Sequence, residues 1–343
     1  MLDTPTTGAP DAAVRGIPVP VHSSSTPEGS TTMATIATSD SVRPRKRKAT
    51  YAAREARAAW IMLTPWLIGL ALITAIPMIA SLVISFTDYS LLAAPDWVGL
   101  DNYTRLLDDP RFMAALWVTF RYVFISVPLQ LAFALGLALL LNRGLRGLRF
   151  YRSAFYLPSL LGASVTIAIL WRQVFGSDGI FNQFLALFGI QGVSWIGNPD
   201  WALSTLIVLN VWTFGSPMVI FLAGLRQIPK EYYEAASVDG AGKVRQFFHI
   251  TLPLLTPVVF FNVILQFIHA FQAFTPSYIV SGGTGGPVDS TLFYTLYLYQ
   301  RGFTQFEMGY ASAMAWVLLL IIGVFTAANF IGARFWVFYG DEK

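Results

Sequence analysis

Apolar residues gather along this chain in six long runs: Ala58 to Phe86, Met113 to Leu141, Ala154 to Phe175, Trp201 to Leu225, Pro253 to Val280 and Met308 to Ala333. At about 1.5 Å per residue each run can cross a hydrocarbon core of about 30 Å, so the pattern predicts six transmembrane helices. Several carry proline (Pro65, Pro77, Pro128, Pro158, Pro217, Pro257), which membrane helices tolerate where neighbours satisfy the freed carbonyls and which marks kinks. Ahead of the runs, residues 1 to about 42 are rich in Thr, Ser, Pro, Gly and Ala and show no apolar periodicity. Such a stretch cannot bury enough surface to offset the entropy of ordering, and it reads as disordered. The chain therefore divides into a polar tail, 1–57, and a membrane domain, 58–343. The tail is not a secretory signal, because the first apolar run starts only after the cluster Arg43, Arg45, Lys46, Arg47, Lys48 and outlasts an h-region. Next to a spanning helix, that cluster reads as an anchor at anionic lipid rather than as a nucleic-acid site.

Basic residues set the expected orientation. Of 23 Lys and Arg residues, 18 fall in the tail, in the loops after the second and fourth spans (Arg143, Arg146, Arg149, Arg152; Arg226, Lys230, Lys243, Arg245) and at the C-terminal end (Arg334, Lys343). The alternate loops carry Asp88, Asp96, Asp101, Asp108, Asp109, Asp178, Asp200 and Asp289 instead. Both termini are thus expected in the cytoplasm, with Trp97, Trp195 and Trp201 as an outer aromatic belt.

Composition narrows the chemistry. With 55% hydrophobic and 12% charged residues, a soluble enzyme is excluded. The chain has no cysteine, and its three histidines, His22, His249 and His269, are too far apart for a short-range zinc motif, so no metal site is expected. No Asp or Glu lies within a span, which argues against the alternative of an ion-coupled secondary carrier, since coupling ions need intramembrane carboxylates. A phosphate-binding G-x-x-x-x-G-K-[ST] loop is absent: Gly242-Lys243 is followed by Val244. His249 with Glu234 and Asp239 is too thin a set for a membrane enzyme.

The loop after the fourth span, 226–252, is the most informative. Pro229 suits a first helical turn, Glu231 and Glu234 complement the helix N-terminus, Ala235 and Ala236 continue the helix, and Gly240 can end it in the left-handed conformation. A second short piece follows, with Phe247, Phe248, Ile250, Leu252 and Pro253. The spacing Glu234-Ala235-Ala236, Gly240, Ile250, Leu252-Pro253 resembles the EAA loop of ABC importer permeases. Val98-Gly99-Leu100-Asp101-Asn102-Tyr103, Asp109-Pro110, Phe112, Leu157-Pro158, Trp171-Arg172, Gly179-Ile180-Phe181-Asn182 and the glycine-rich Ser281 to Pro287 resemble the carbohydrate-type members, the kind that carry maltose or glycerol phosphate. The likeness covers roughly residues 58 to 335. The polar tail and the wording of the glycine loop depart from the family pattern.

That resemblance implies an all-α membrane protein with the type I ABC importer fold, in the bacterial cytoplasmic membrane. It implies a non-catalytic subunit that forms a sugar pathway and has no cofactor of its own. The expected partners are a second homologous permease, two ATPase subunits that bind ATP-Mg, and an extracytoplasmic solute-binding protein, with no nucleic acid. ATPase coupling falls to Glu234, Ala235, Ala236, Asp239, Gly240 and Ala241.

Candidate pathway residues come from the fifth span. Asn262, Gln266, His269 and Gln272 recur at spacings of four, three and three, which keeps them on one helical face. A polar stripe in lipid must face protein or water. Amides and an imidazole interleaved with Phe271, Phe274 and Tyr278 suit a sugar, whose hydroxyls meet polar groups while its apolar patches meet rings. The competing reading is interhelical hydrogen bonding. Asn210, with Trp212, Thr213 and Ser216, is the fourth-span candidate; Gln130, Tyr310, Trp316 and Asn329 read equally well as packing. The glycines of 282–287 suggest a flexible mouth, with no basic residue placed to make a phosphate cradle.

Overall fold

The computed structural model of the chain describes residues 47–142, 147–161 and 164–338. The polar tail as far as Lys46, with its expected disorder, lies outside the described residues, as do Arg143, Arg146 and Lys343. The helices are α1 (Arg47–Gly69), α2 (Ile76–Ile84), α3 (Asp101–Asp108), α4 (Pro110–Leu141), α5 (Leu148–Leu161), α6 (Val165–Val174), α7 (Ile180–Ala186), α8 (Pro199–Trp212), α9 (Gly215–Gln227), α10 (Lys230–Val238), α11 (Lys243–Gln246), α12 (Leu252–Phe271), α13 (Thr275–Ser281), α14 (Tyr294–Tyr299) and α15 (Met308–Trp336). Among the described residues there is no strand, only isolated bridges pairing Thr87 with Trp97 and Ser90 with Glu307. Two units divide the chain, Met1–Thr64 and Pro65–Lys343, and every site below belongs to the second.

Among the described residues, four helical stretches are long and apolar enough to cross a membrane: Glu55–Ile84, Pro110–Leu141, Lys243–Ser281 and Met308–Trp336. A fifth is the pair α8 and α9, bent by 41°. The third expected run, Ala154 to Phe175, is not one helix. α5 ends at Leu161 and α6 restarts at Val165, where Ser164 is extended and its Oγ accepts the Ile167 amide as an N-cap. Apolar length therefore did not reveal two interruptions that local hydrogen bonding creates.

Two other irregularities have a common cause. The stretches Leu70–Ala75 and Phe247–Thr251 are π-helical, and each ends two residues before a proline, Pro77 or Pro253. Proline offers no amide to the carbonyl four residues back and its ring crowds that carbonyl, so the helix widens there instead of breaking.

α4 is the centre of the bundle, with α8, α9 and α12 packed against it. Its buried positions Ala115, Thr119, Val123, Val127, Gln130, Ala134, Ala138 and Leu141 recur every three or four residues and form one continuous stripe. Small residues on this stripe let neighbouring backbones approach closely where no hydrophobic effect drives helices together. Gly215 does the same on α9, because an added Cβ would stand 2.5 Å from the Phe155 carbonyl oxygen of α5.

Candidate functional site

At the α8–α9 bend the Thr213 carbonyl is left without an intrahelical partner. Ser159 Oγ donates to it at 2.7 Å and Gln130 Nε2 at 3.3 Å, while Ser159 Oγ accepts the Ser216 amide at 3.0 Å. The network continues through Gln130 Nε2 to Thr213 Oγ1 at 2.9 Å and through Asn210 Nδ2 to Ser126 Oγ at 3.0 Å. Polar groups from α4, α5, α8 and α9 thus satisfy one another and hold the bend.

Beside this network lies a cavity of about 420 Å³, lined by Tyr122, Ser159, Asn210, Thr213 and Ser216 on one side and by Gln266, His269, Gln272, Phe274 and Thr275 on the other. Three of the four stripe residues expected from the sequence therefore converge on a single space, together with Asn210. The side chains of Gln266, His269 and Gln272 form no hydrogen bond with another described residue, so they are not interhelical glue in this structure. Gln272 sits at the C-cap of α12, where the helix breaks before α13. Asn262 and Phe271 do not line the cavity. Asn262 is wholly buried and donates to the Val258 carbonyl of its own helix at 3.1 Å. Phe271 is buried edge-on against Phe120, with ring centroids 5.5 Å apart. Helical spacing alone could not separate these two from the rest, because a face of about 100° is shared by the cavity and the core. Phe274 lines the cavity and stacks on Tyr278 at 5.2 Å.

The 226–252 loop forms an elbow. Glu231 stands in the first turn of α10, and Gly240, with φ of 75°, ends it. The Gly240 amide donates to Ser237 O at 3.1 Å and the Ala241 amide to Ala236 O at 2.8 Å, which is a Schellman closure. Gln246 Nε2 then bonds both Ser237 Oγ and Ala241 O at 3.0 Å and folds α11 against α10. Tyr233 OH meets Thr251 Oγ1 at 3.0 Å and fastens the elbow to the base of α12. Glu234, Ala235, Asp239 and Gly240 are exposed, and Ala236 and Ala241 are half-buried beside a small cavity of about 250 Å³. Tyr232, Val238, Val244 and Phe248 are also more than half exposed around it, an apolar surface on a loop that is otherwise polar.

At the opposite end of α4 is a cluster that sequence reading missed. Asp109 caps α4 by accepting the Arg111 amide on Oδ1, while its Oδ2 accepts from Tyr297 OH, Tyr310 OH and Arg301. Arg301 also pairs with Glu307 at 3.1 Å, and Glu307 with Arg105 at 2.9 Å. Burial raises the Asp109 carboxyl, but the hydrogen bonds from Tyr297, Tyr310 and the Phe112 amide and the charge of Arg301 outweigh it and hold the group at about 2. Burial, and then the bond it gives to Asp109, pushes the Tyr297 hydroxyl up to about 12. Asp109 and Arg301 lie 192 residues apart, so no spacing signal could have joined them. Two neighbouring expectations also change. Trp195 is half-buried and donates to Asn182 Oδ1 at 2.6 Å, so it organises a loop, whereas Trp97 and Trp201 are exposed. The glycine loop, expected to be a flexible mouth, is tied down by bonds from Gln300 Nε2 to Gly283 O and from the Thr291 amide to Gly285 O, each 2.8 Å.

Comparisons with known proteins agree with this architecture. The family described as "Binding-protein-dependent transport system inner membrane component" matches residues 110–335. The chain is 53% identical to the "Probable ABC transporter permease protein YesP" of Bacillus subtilis (strain 168), over 83% of this chain and 93% of that one. It is 36% identical to the "Sulfoquinovosyl glycerol transport system permease protein SmoG" of Agrobacterium fabrum (strain C58 / ATCC 33970), over 78% and 88%. Its fold is similar to a chain in a crystal structure of a bacterial alginate ABC transporter in complex with an alginate pentasaccharide-bound periplasmic protein: TM-score 0.72, 21% identity, covering 83% of this chain and 96% of that one.

Proposed function

Because the chain belongs to the binding-protein-dependent transport system inner membrane component family, and is thus a non-catalytic permease subunit of an ABC importer in the membrane, we propose that its cargo is a carbohydrate that passes the Gln266, His269 and Gln272 cavity. The observation that carries this reading is the set of polar side chains, without hydrogen-bond partners among the described residues, converging on one space beside Phe274. Amides, hydroxyls and an imidazole can exchange hydrogen bonds with a polyol without demanding charge, and a ring can cover its apolar face. The name of SmoG, a permease for a sugar glycoside, favours the same cargo class. An ion-coupled carrier has no support.

We further propose that Glu234, Ala235, Ala236, Asp239, Gly240 and Ala241 form the surface gripped by an ATPase. The exposed apolar residues Tyr232, Val238 and Val244 around the elbow suit a protein partner, and the Schellman closure with the Gln246 clamp makes the elbow stiff enough to transmit a push to α12. The complete transporter would add a second homologous permease, two such ATPases carrying ATP-Mg, and an extracytoplasmic solute-binding protein. The distribution of Lys and Arg supports six crossings with both termini and the elbow in the cytoplasm. The test is ATP-dependent uptake by the copurified complex in proteoliposomes, with the solute chosen by a ligand screen of the binding protein. Glu234→Lys is expected to leave insertion intact and abolish uptake; undiminished uptake with normal ATPase association would sink the docking reading.

A further inference from the structure

Away from the pathway and the elbow, one cavity carries opposite charges in its lining. It holds about 400 Å³ between α4, the start of α8 and the turn after the glycine loop, and its polar lining is Arg121, Asp200, Ser204 and Ser290, with Val118 and Leu203 beneath. Arg121 stacks over the Trp117 ring at 5.3 Å, and neither it nor Asp200 enters an ion pair among the described residues. Ser290 Oγ is sealed from solvent and has no hydrogen-bond partner among the described residues. The turn that carries Ser290 is held to α4 by the two-pronged pair of Arg111 with Asp289, 2.8 Å at its shorter contact.

Depth follows from helix length. The 32 residues of α4 extend roughly 48 Å, well beyond a hydrocarbon core of about 30 Å. Measured from Leu141, beside the arginine-rich loop, that core ends at about Arg121. Asp200 stands in the first turn of α8, and two exposed rings flank the charged pair in sequence, Trp117 one helical turn before Arg121 and Trp201 next to Asp200, as interfacial aromatics do.

We propose that this cavity holds the headgroup of an outer-leaflet aminophospholipid, with its phosphate on the Arg121 guanidinium, its ammonium on the Asp200 carboxylate and the Ser204 hydroxyl on a phosphate oxygen. The choice of leaflet rests on the orientation proposed above; the headgroup chemistry does not. A guanidinium fork suits phosphate, and a primary ammonium can donate hydrogen bonds to a carboxylate, which a quaternary one cannot. An anionic headgroup without an amine would meet repulsion from Asp200, and a neutral sugar would leave both charges uncompensated.

The test uses the intact copurified transporter equilibrated with equal amounts of phosphatidylethanolamine, phosphatidylglycerol and phosphatidylcholine, with retained lipid counted by native mass spectrometry. The expected result is retention of phosphatidylethanolamine over the other two. Asp200→Asn should lower its ratio to phosphatidylglycerol roughly fivefold, the size of one charged contact near a membrane surface, and Arg121→Gln should release both lipids. An unchanged ratio in Asp200→Asn, or full retention in Arg121→Gln, overturns the proposal. So does a photocrosslinker at Ser204 that captures the second permease instead of lipid. Solute uptake by the same preparation reports on the transport reading separately, because the lipid ratio does not depend on the cargo.

Discussion

The two ends of the polar chemistry in this protein are built on opposite rules. Around Asp109 every polar group is spoken for: one carboxylate oxygen takes two phenols and a guanidinium, the other caps a helix, and Arg301 passes on to Glu307. Around the cavity the side chains of Gln266, His269 and Gln272 make no bonds to other described residues. A fully satisfied cluster rigidifies, because loss of any member leaves a desolvated partner. Unpaired polar groups facing a space of about 420 Å³ add little to folding and are available to a solute.

Substitutions can break this contrast or sharpen it. The largest effect is expected from Asp109→Ala, which takes from Arg301, only 18% exposed, its closest carboxylate and leaves it Glu307 alone. Removing one partner of a buried pair costs about 3–5 kcal/mol, and a large drop in melting temperature in detergent should follow. Acid tests the same cluster. The Asp109 carboxyl sits at about 2 in the folded protein against an ordinary 3.8, so its contribution is complete above about pH 4 and is lost as pH falls toward 2. Wild-type melting temperature should fall more steeply across that window than that of Asp109→Asn.

An intermediate effect is expected from Gln130→Leu. It leaves Thr213 Oγ1 and Asn210 with one partner fewer at the bend, for a loss of about 1–3 kcal/mol in denaturation. The smallest stability effect should come from Gln266→Leu and His269→Leu, within about 0.5 kcal/mol of wild type, accompanied by a clear loss of solute uptake. If these two variants melted far below wild type while uptake per folded complex held, the stripe would be packing and the contrast would fail.

Much of this was written in local order. Long apolar runs announced the spans, and the Pro229 to Pro253 spacing announced the elbow, because a proline, a glycine at positive φ and the residues between them act within a few positions of one another. Helical period placed Gln266 and His269 on one face. It could not say that Asn262, from the same stripe, and Phe271, interleaved with it, turn into the core, nor that Ala154 to Phe175 is interrupted at Ser164. Those outcomes depend on which neighbour presses on each position.

By itself the chain determined that the protein lives in lipid, where its long apolar runs lie and how its elbow turns, since hydropathy, proline geometry and left-handed glycine are properties of short segments. Only the tertiary structure decided which polar residues would be consumed by each other and which would be left facing a cavity. Asp109 meets Arg301 across 192 residues, and Gln130 meets Thr213 across 83, through helix packing that no interval along the chain encodes.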